Sequence, residues 1–191
     1  MTLTIKALSP GMGMVFAQYL DELEYRHAPD WKGCYCRFYH EVGNFQDWLA
    51  RTHDQNRAAA IAAIDAGAMK GYLAFDGDQC VGWLNANDAT TYPRLLEDLR
   101  EFIADKKVGL TICFVIRPEY RGQGVARQLL FAAIEGFRLA GYDAAMSLPI
   151  ARDGDPEKRY RGTLHMYDEA GYQVLTRQDA VEVRWLDFKR N

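Results

Sequence analysis

The stretch from Val108 to Gly141, VGLTICFVIRPEYRGQGVARQLLFAAIEGFRLAG, constrains the chain more than any other. Leu110 to Ile116 is a run of apolar and β-branched residues, which predicts a buried strand. Pro118 ends it, because proline cannot donate to a sheet ladder. A short loop, Arg121-Gly122-Gln123-Gly124, leads into a predicted helix with apolar positions Val125, Leu129, Ala132, Ala133, Phe137 and Ala140. Spacings of three and four put these on one face against a sheet. Gly141 then offers a C-terminal cap.

A strand, a glycine loop and a helix in that order make an anion site. The first turn of a helix has amide hydrogens without intrahelical partners, and the aligned peptide dipoles add positive charge there. Glycines at 122 and 124 remove side chains that would keep a phosphate away. A nucleotide P-loop requires Gly-Lys-Ser/Thr, where this chain has Gly124-Val125-Ala126. A dinucleotide fingerprint requires a third glycine where Arg127 stands. Both patterns fail.

Arg121-Gly122-Gln123-Gly124-Val125-Ala126 resembles the acetyl-CoA loop of the GNAT acetyltransferase superfamily, whose pattern is Gln/Arg-x-x-Gly-x-Gly/Ala. The rest of the chain is ordered to suit. Leu3–Leu8 predicts a first strand, and Ser9-Pro10 the start of a helix. Asn44 is a cap for a long helix over 45–66. Gly71–Phe75 and Cys80–Asn85 form a predicted hairpin around Asp76-Gly77-Asp78-Gln79. Pro93 opens a short helix before the central strand. Asp143–Leu148 is a further strand, Asp155-Pro156 begins a helix running to about Ala170, and Tyr172–Thr176 with Val181–Phe188 closes as a hairpin. The order β-α-α-β-β-(α)-β-α-β-α-β-β is similar to the GNAT fold from end to end. The resemblance implies an α/β (α+β) fold with a mixed sheet of about seven strands flanked by helices, strands 4 and 5 splayed around acetyl-CoA. It also implies one acetyltransferase domain over 1–191.

The resemblance further assigns roles. Arg121, Gly122, Gln123, Gly124, Val125, Ala126 and Arg127 would hold the pyrophosphate, and Phe114, Val115 and Ile116 the pantetheine arm. Tyr167-Asp168-Glu169-Ala170-Gly171-Tyr172 looks like the family's Tyr-x-x-x-Gly-Phe/Tyr motif, making Tyr167 the acid that protonates the departing thiolate. Two positions depart from the pattern: Tyr160 stands where many relatives carry asparagine, and Cys113 where they often carry glutamate. A thiol near its ordinary pKa is a poor base at neutral pH. Cys113 is therefore a buried apolar residue, a lining of the acceptor pocket, or an acyl-accepting nucleophile. Trp83, Asn85 and Tyr35 are acceptor-pocket candidates, and Trp31, Tyr39 and Trp48 extend that aromatic wall.

Rival readings keep the same fold. A non-catalytic acyl-CoA binding module or sensor would explain the two departures. A thiol- or metal-responsive protein would use Cys34, Cys36 and Cys113, the first two sharing a face if the segment were a strand, with His40 as a fourth soft ligand. That spacing is no recognised metal pattern, and no metal is expected.

Composition narrows the partners. The 191 residues carry a net charge of −3, which leaves no footprint for nucleic acid. No apolar run approaches the roughly 20 residues that cross a bilayer. The amino terminus lacks a signal-peptide core, so a cytoplasmic location with reduced cysteines is expected. The expected reaction is acetyl transfer from acetyl-CoA to a small-molecule amine, and the hairpin edges leave a homodimer open.

Overall fold

In the computed structural model, residues 2–26, 28–151 and 160–188 are described. They build a mixed sheet of seven strands: β1 (Thr4–Ala7), β2 (Gly71–Asp76), β3 (Gln79–Asp88), β4 (Val108–Ile116), β5 (Ala144–Ser147), β6 (Gln173–Gln178) and β7 (Val181–Asp187). The order across the sheet is β1-β2-β3-β4-β5-β7-β6. Every neighbouring pair is antiparallel except β4 with β5. Six helices flank it: α1 (Gly13–Asp21), α2 (Phe45–Leu49), α3 (His53–Asp65), α4 (Pro93–Ile103), α5 (Val125–Leu139) and α6 (Leu164–Glu169).

Two cores form, one on each face of the sheet. On one side Phe16 and Tyr19 of α1, Ile64 of α3 and Leu99 of α4 pack with Leu73, Trp83, Leu110 and Ile112. On the other, Val125, Leu129, Ala133 and Phe137 of α5 pack with Ala74, Val81, Leu84 and Phe114. Of the apolar stripe predicted for α5, Val125, Leu129, Ala133 and Phe137 are buried, whereas Ala132 is half-buried, Ala140 is exposed, and Leu130 and Ile134 complete the buried face. Gly109 permits its close approach, since a Cβ there would meet the Phe137 ring at 2.5 Å.

The feature that creates the site is the divergence of β4 from β5. They pair in parallel only from Val108↔Ala144 to Thr111↔Ser147. On its other side β4 shifts register: Asn85 faces Cys113 but Ala86 faces Thr111. Ile112 is therefore an extra residue, and Ile112 and Cys113 both join the core on the α1 side. Such a bulge bends a strand and increases its local twist. The remaining five residues of β4 leave β5, and a wedge opens.

Several expectations change in detail. The helix predicted over 45–66 is two helices. Thr52 accepts from the Gln55 amide while Gln55 returns a bond to the Thr52 amide, so a fresh helix starts at His53. Ser9-Pro10 forms a turn before α1, because Gly11 adopts φ +87° and its amide donates to Asp65. Cys34 and Cys36 do not lie on a strand. Two 3-10 turns, Pro29–Trp31 and Phe38–His40, bracket them, and Tyr35 and Cys36 have φ of +46° and +52°. The start of the helix expected at Asp155-Pro156 lies outside the described residues; within them 160–163 is turn and loop, and only α6, opened by the Thr163 cap, is helical. Among the described residues no helix is long and apolar enough to cross a membrane.

Candidate active site

A cleft of about 660 Å³ runs along the wedge. Phe114, Val115 and Ile116 form its floor, and Gly122, Gly124 and Arg127 its mouth. Tyr160, Gly162 and Met166 form a wall, Trp31 lies beside Tyr160, and Tyr25 also lines the cleft. Past Thr111 the β4 backbone finds partners other than β5. The Phe114 amide donates to the Tyr160 carbonyl at 2.6 Å, and the Val115 carbonyl accepts from the Tyr19 hydroxyl at 2.7 Å.

The glycine loop is shaped for an anion. Gly122 and Gly124 have φ of +72° and +80°, and a Cβ at either would meet nothing within 4 Å. Space therefore lies open above both residues. The α5 helix starts at Gly124 without a side-chain cap, so its first amides face that space. Arg127 reaches Glu169 of α6 at 3.1 Å, and Arg121 donates to the Ile116 carbonyl at 3.2 Å. Gln123 turns to the Glu119 carbonyl at 2.6 Å, and its side chain does not line the cleft. Open amides, two guanidinium groups and an apolar floor suit the phosphates and extended arm of a coenzyme A thioester.

Tyr167 is wholly buried and does not itself line the cleft, although its neighbour Met166 does. Its hydroxyl donates to the Arg161 carbonyl at 2.8 Å, and nearby, at the vertex of the wedge, the Thr111 and Ser147 hydroxyls are buried without a hydrogen-bond partner among the described residues. Burial raises its pKa, so the phenol holds its proton at any physiological pH. The α6 helix that carries it starts with a Thr163 cap and is tied to β7 by Arg184. That guanidinium binds Asp168 at 2.5 Å, Glu182 at 2.7 Å and the Leu164 carbonyl at 3.2 Å.

The remaining candidates lie on the α1 side, and Cys113 meets them there. Asn85 is fully buried and already engaged: it accepts from Tyr92 at 2.9 Å and donates to His40 at 3.0 Å and to the Cys36 carbonyl at 3.4 Å. Trp83, also fully buried, donates its indole N–H to the Cys36 sulfur at 3.3 Å. A hydrogen bond with Cys113, and burial, push the Cys36 thiol well above its ordinary value. Burial pushes Cys34 up to about 12. None of Trp83, Asn85 and Cys113 lines the cleft itself. Tyr35 stands apart, its hydroxyl donated to Asp21 at 2.5 Å. Among the described residues no group of three His, Cys, Asp or Glu side chains could hold a metal ion.

Two sets of residues here go beyond the sequence reading. Leu23, Glu24 and Tyr25 line the cleft end, where the segment after α1 folds over it. Arg161 lies between the cleft wall and Tyr39. Only the tertiary path of the chain brings them in; no local pattern marks them.

Comparison with known proteins agrees with this geometry. Among curated proteins nothing matches the chain. Solved structures do. An arylalkylamine N-acetyltransferase-like protein from mosquito superposes with a TM-score of 0.61 at 11% identity, covering 98% of this chain and 100% of that one. A polyamine N-acetyltransferase from Drosophila melanogaster, described as forming N-acetylagmatine, gives 0.58 at 10% identity, with 98% and 100% covered. The PaiA N-acetyltransferase from Thermoplasma acidophilum, solved with coenzyme A, gives 0.57 at 14% identity, again over 98% and 100%. At such identities the likeness is one of fold. The acetyltransferase (GNAT) family model matches residues 28–172. With its pattern spanning the wedge, the glycine loop and α6, the chain belongs to the acetyltransferase (GNAT) family.

Proposed function

We propose that this protein transfers an acetyl group from acetyl-CoA to the primary amine of a small molecule by direct attack. The observation that carries the reading is the wedge between β4 and β5, with an uncapped helix and open glycines at its mouth and a protonated phenol at its vertex. Acetyl-CoA supplies the activated acyl group. The α5 amides with Arg121 and Arg127 bind the pyrophosphate, and the β4 backbone at Phe114–Ile116 aligns the arm. The names of the structural relatives, which denote amine acetyltransferases, support an amine acceptor.

Chemistry needs a nucleophile with a lone pair, and a proton for the sulfur that leaves. The neutral amine attacks the thioester carbonyl, the carbon–sulfur bond breaks, and the Tyr167 hydroxyl delivers its proton to the thiolate. Protons balance over the cycle: the amine releases one to solvent and the Tyr167 oxygen takes one up. His40 is not the base. Its Nε2 accepts from Asn85, and its other ring nitrogen is engaged by the Thr91 backbone. Cys113 has the Cys36 thiol beside it, and a second thiol is no base for an acyl-accepting nucleophile. It serves this reading as packing under the acceptor end.

Calorimetric titration of acetyl-CoA into the protein, followed by a panel of amines, tests the reading. Micromolar binding, roughly −8 kcal/mol, with turnover on at least one amine is the expected result. Binding without turnover would point to the sensor, and absence of binding would defeat both.

A further inference from the structure

Arg161 is set among aromatic rings, not carboxylates, in the described part of the chain. Its guanidinium lies between two phenol rings, 5.7 Å from the centre of Tyr39 and 5.6 Å from that of Tyr160. One nitrogen donates to the Tyr39 hydroxyl at 2.7 Å and another to the Leu148 carbonyl at 3.4 Å. The third, Nε, is buried without an acceptor. Among the described residues no carboxylate pairs with it, whereas Arg37, Arg117 and Arg184 are paired with Glu41, Glu22 and Glu182. A guanidinium removed from water without an anion is unfavourable, and an anion arriving beside it relieves that cost.

Proton bookkeeping around it gives the same sign. Arginine has no lone pair to offer, so the Tyr39 oxygen must accept. Tyr39 and Tyr160 hydroxyls are 3.2 Å apart and share one hydrogen bond. Whichever way that bond runs, one phenolic proton is left over, and the Arg161 Nε–H is a second. Among the described residues donors therefore exceed acceptors in this corner. Tyr160 lines the cleft, with Trp31 edge-on against it at 4.9 Å. The Arg161 carbonyl receives the Tyr167 hydroxyl, so the corner adjoins the reacting centre.

We propose that Arg161, with Tyr39 and Tyr160, binds a carboxylate carried by one of the two molecules this enzyme joins. This rests on the acetyl-transfer reading and names its substrate class. The carboxylate belongs either to the amine, as in an amino acid, or to the acyl group of a dicarboxylic thioester. Arg161 is a specificity residue: it sets which substrate is held, and Tyr167 handles the proton.

The test compares matched pairs in the wild-type protein and in Arg161→Gln and Arg161→Lys. Three amine pairs serve with acetyl-CoA: 4-aminobutyrate and butylamine, phenylalanine and phenethylamine, lysine and 1,5-diaminopentane. Succinyl-CoA against acetyl-CoA forms the second arm, read as affinity by calorimetry. The wild type should prefer the carboxylate-bearing member of an arm by about tenfold or more. Arg161→Gln should bring that ratio close to one, and Arg161→Lys should restore part of it. Each ratio is internal to one protein, so a general loss of activity does not change it. A preference in the first arm places the carboxylate on the amine; in the second, on the thioester.

Thermal midpoints with and without 4-aminobutyrate, and with succinyl-CoA against acetyl-CoA, give a readout that needs no turnover. A rise in the wild type that disappears in Arg161→Gln supports the site even if no amine is acetylated, an outcome that would defeat the transferase reading alone. Ratios and midpoints that are the same in wild type and Arg161→Gln overturn the carboxylate site, and leave acetyl transfer standing wherever turnover is seen.

Discussion

Asn85 braces the His40 ring, its side-chain amide nitrogen 3.0 Å and its amide oxygen 3.4 Å from Nε2. Burial, assisted by the nearby Arg37, lowers the His40 pKa to about 4. In the unfolded chain an imidazole titrates near 6.5. Between these values the unfolded state binds the proton and the folded state does not. The stabilisation is therefore complete above about pH 6.5 and is lost as the pH falls towards 4.

This linkage amounts to about 3 kcal/mol. Urea unfolding at pH 7, 5.5 and 4.5 should show the wild type losing stability steeply, and His40→Gln losing distinctly less over the same range. Parallel curves for the two proteins would assign the acid sensitivity to other groups.

Tyr167→Phe separates chemistry from binding. Turnover should fall by about 10²–10⁴, while acetyl-CoA affinity stays within a few-fold. The variant also leaves the Arg161 carbonyl without its donor, at about 1 kcal/mol of stability. A turnover number equal to wild type, measured under saturating acetyl-CoA, would remove Tyr167 from the mechanism.

At Gly124 the φ of +80° is the constraint, since a Cβ would meet no atom. Gly124→Ala should cost about 1–2 kcal/mol of stability through backbone strain alone. The methyl group stands in the open space over the α5 amides, so acetyl-CoA affinity should also drop, by about tenfold. Denaturant titration and calorimetry read the two effects separately. Wild-type affinity in this variant would move the phosphate site elsewhere.

Arg184 is the tie between α6 and β7, almost fully buried with Glu182. Arg184→Met removes one side of that pair and leaves the Glu182 carboxylate with Arg177 alone. A loss of about 3–5 kcal/mol is expected. The double variant Arg184→Met/Glu182→Leu should recover much of it, because the stranded charge is gone. Equal stabilities for single and double variants would show that the charge was not the source.

The parts of the site built from consecutive residues were legible in the sequence. Strand, proline, glycine loop and amphipathic helix each depend on neighbours in the chain, so β4, Gly122–Arg127 and α5 fall where periodicity puts them. What depends on competition or register was not legible. Thr52 splits a helix because its hydroxyl offers the backbone an alternative partner. Ile112 bulges only in relation to Asn85 and Ala86 on another strand, and this bulge opens the wedge. Cys34 and Cys36 alternate as a strand would, yet left-handed backbone at Tyr35 and Cys36 turns the segment back on itself. Arg161 reads as one more surface arginine until the fold sets its guanidinium against the rings of Tyr39 and Tyr160.

The four-pair ladder from Val108 to Thr111 joins the two halves of the sheet, and Thr111–Ser147 is its last rung. Five residues of β4 extend beyond it, a span of about 16 Å. Along that span β4 keeps its pairing with β3 but has none with β5, so one edge of the strand still offers its main-chain groups. The depth of the gap is thus counted in residues of a single strand, and it begins at two small hydroxyl residues.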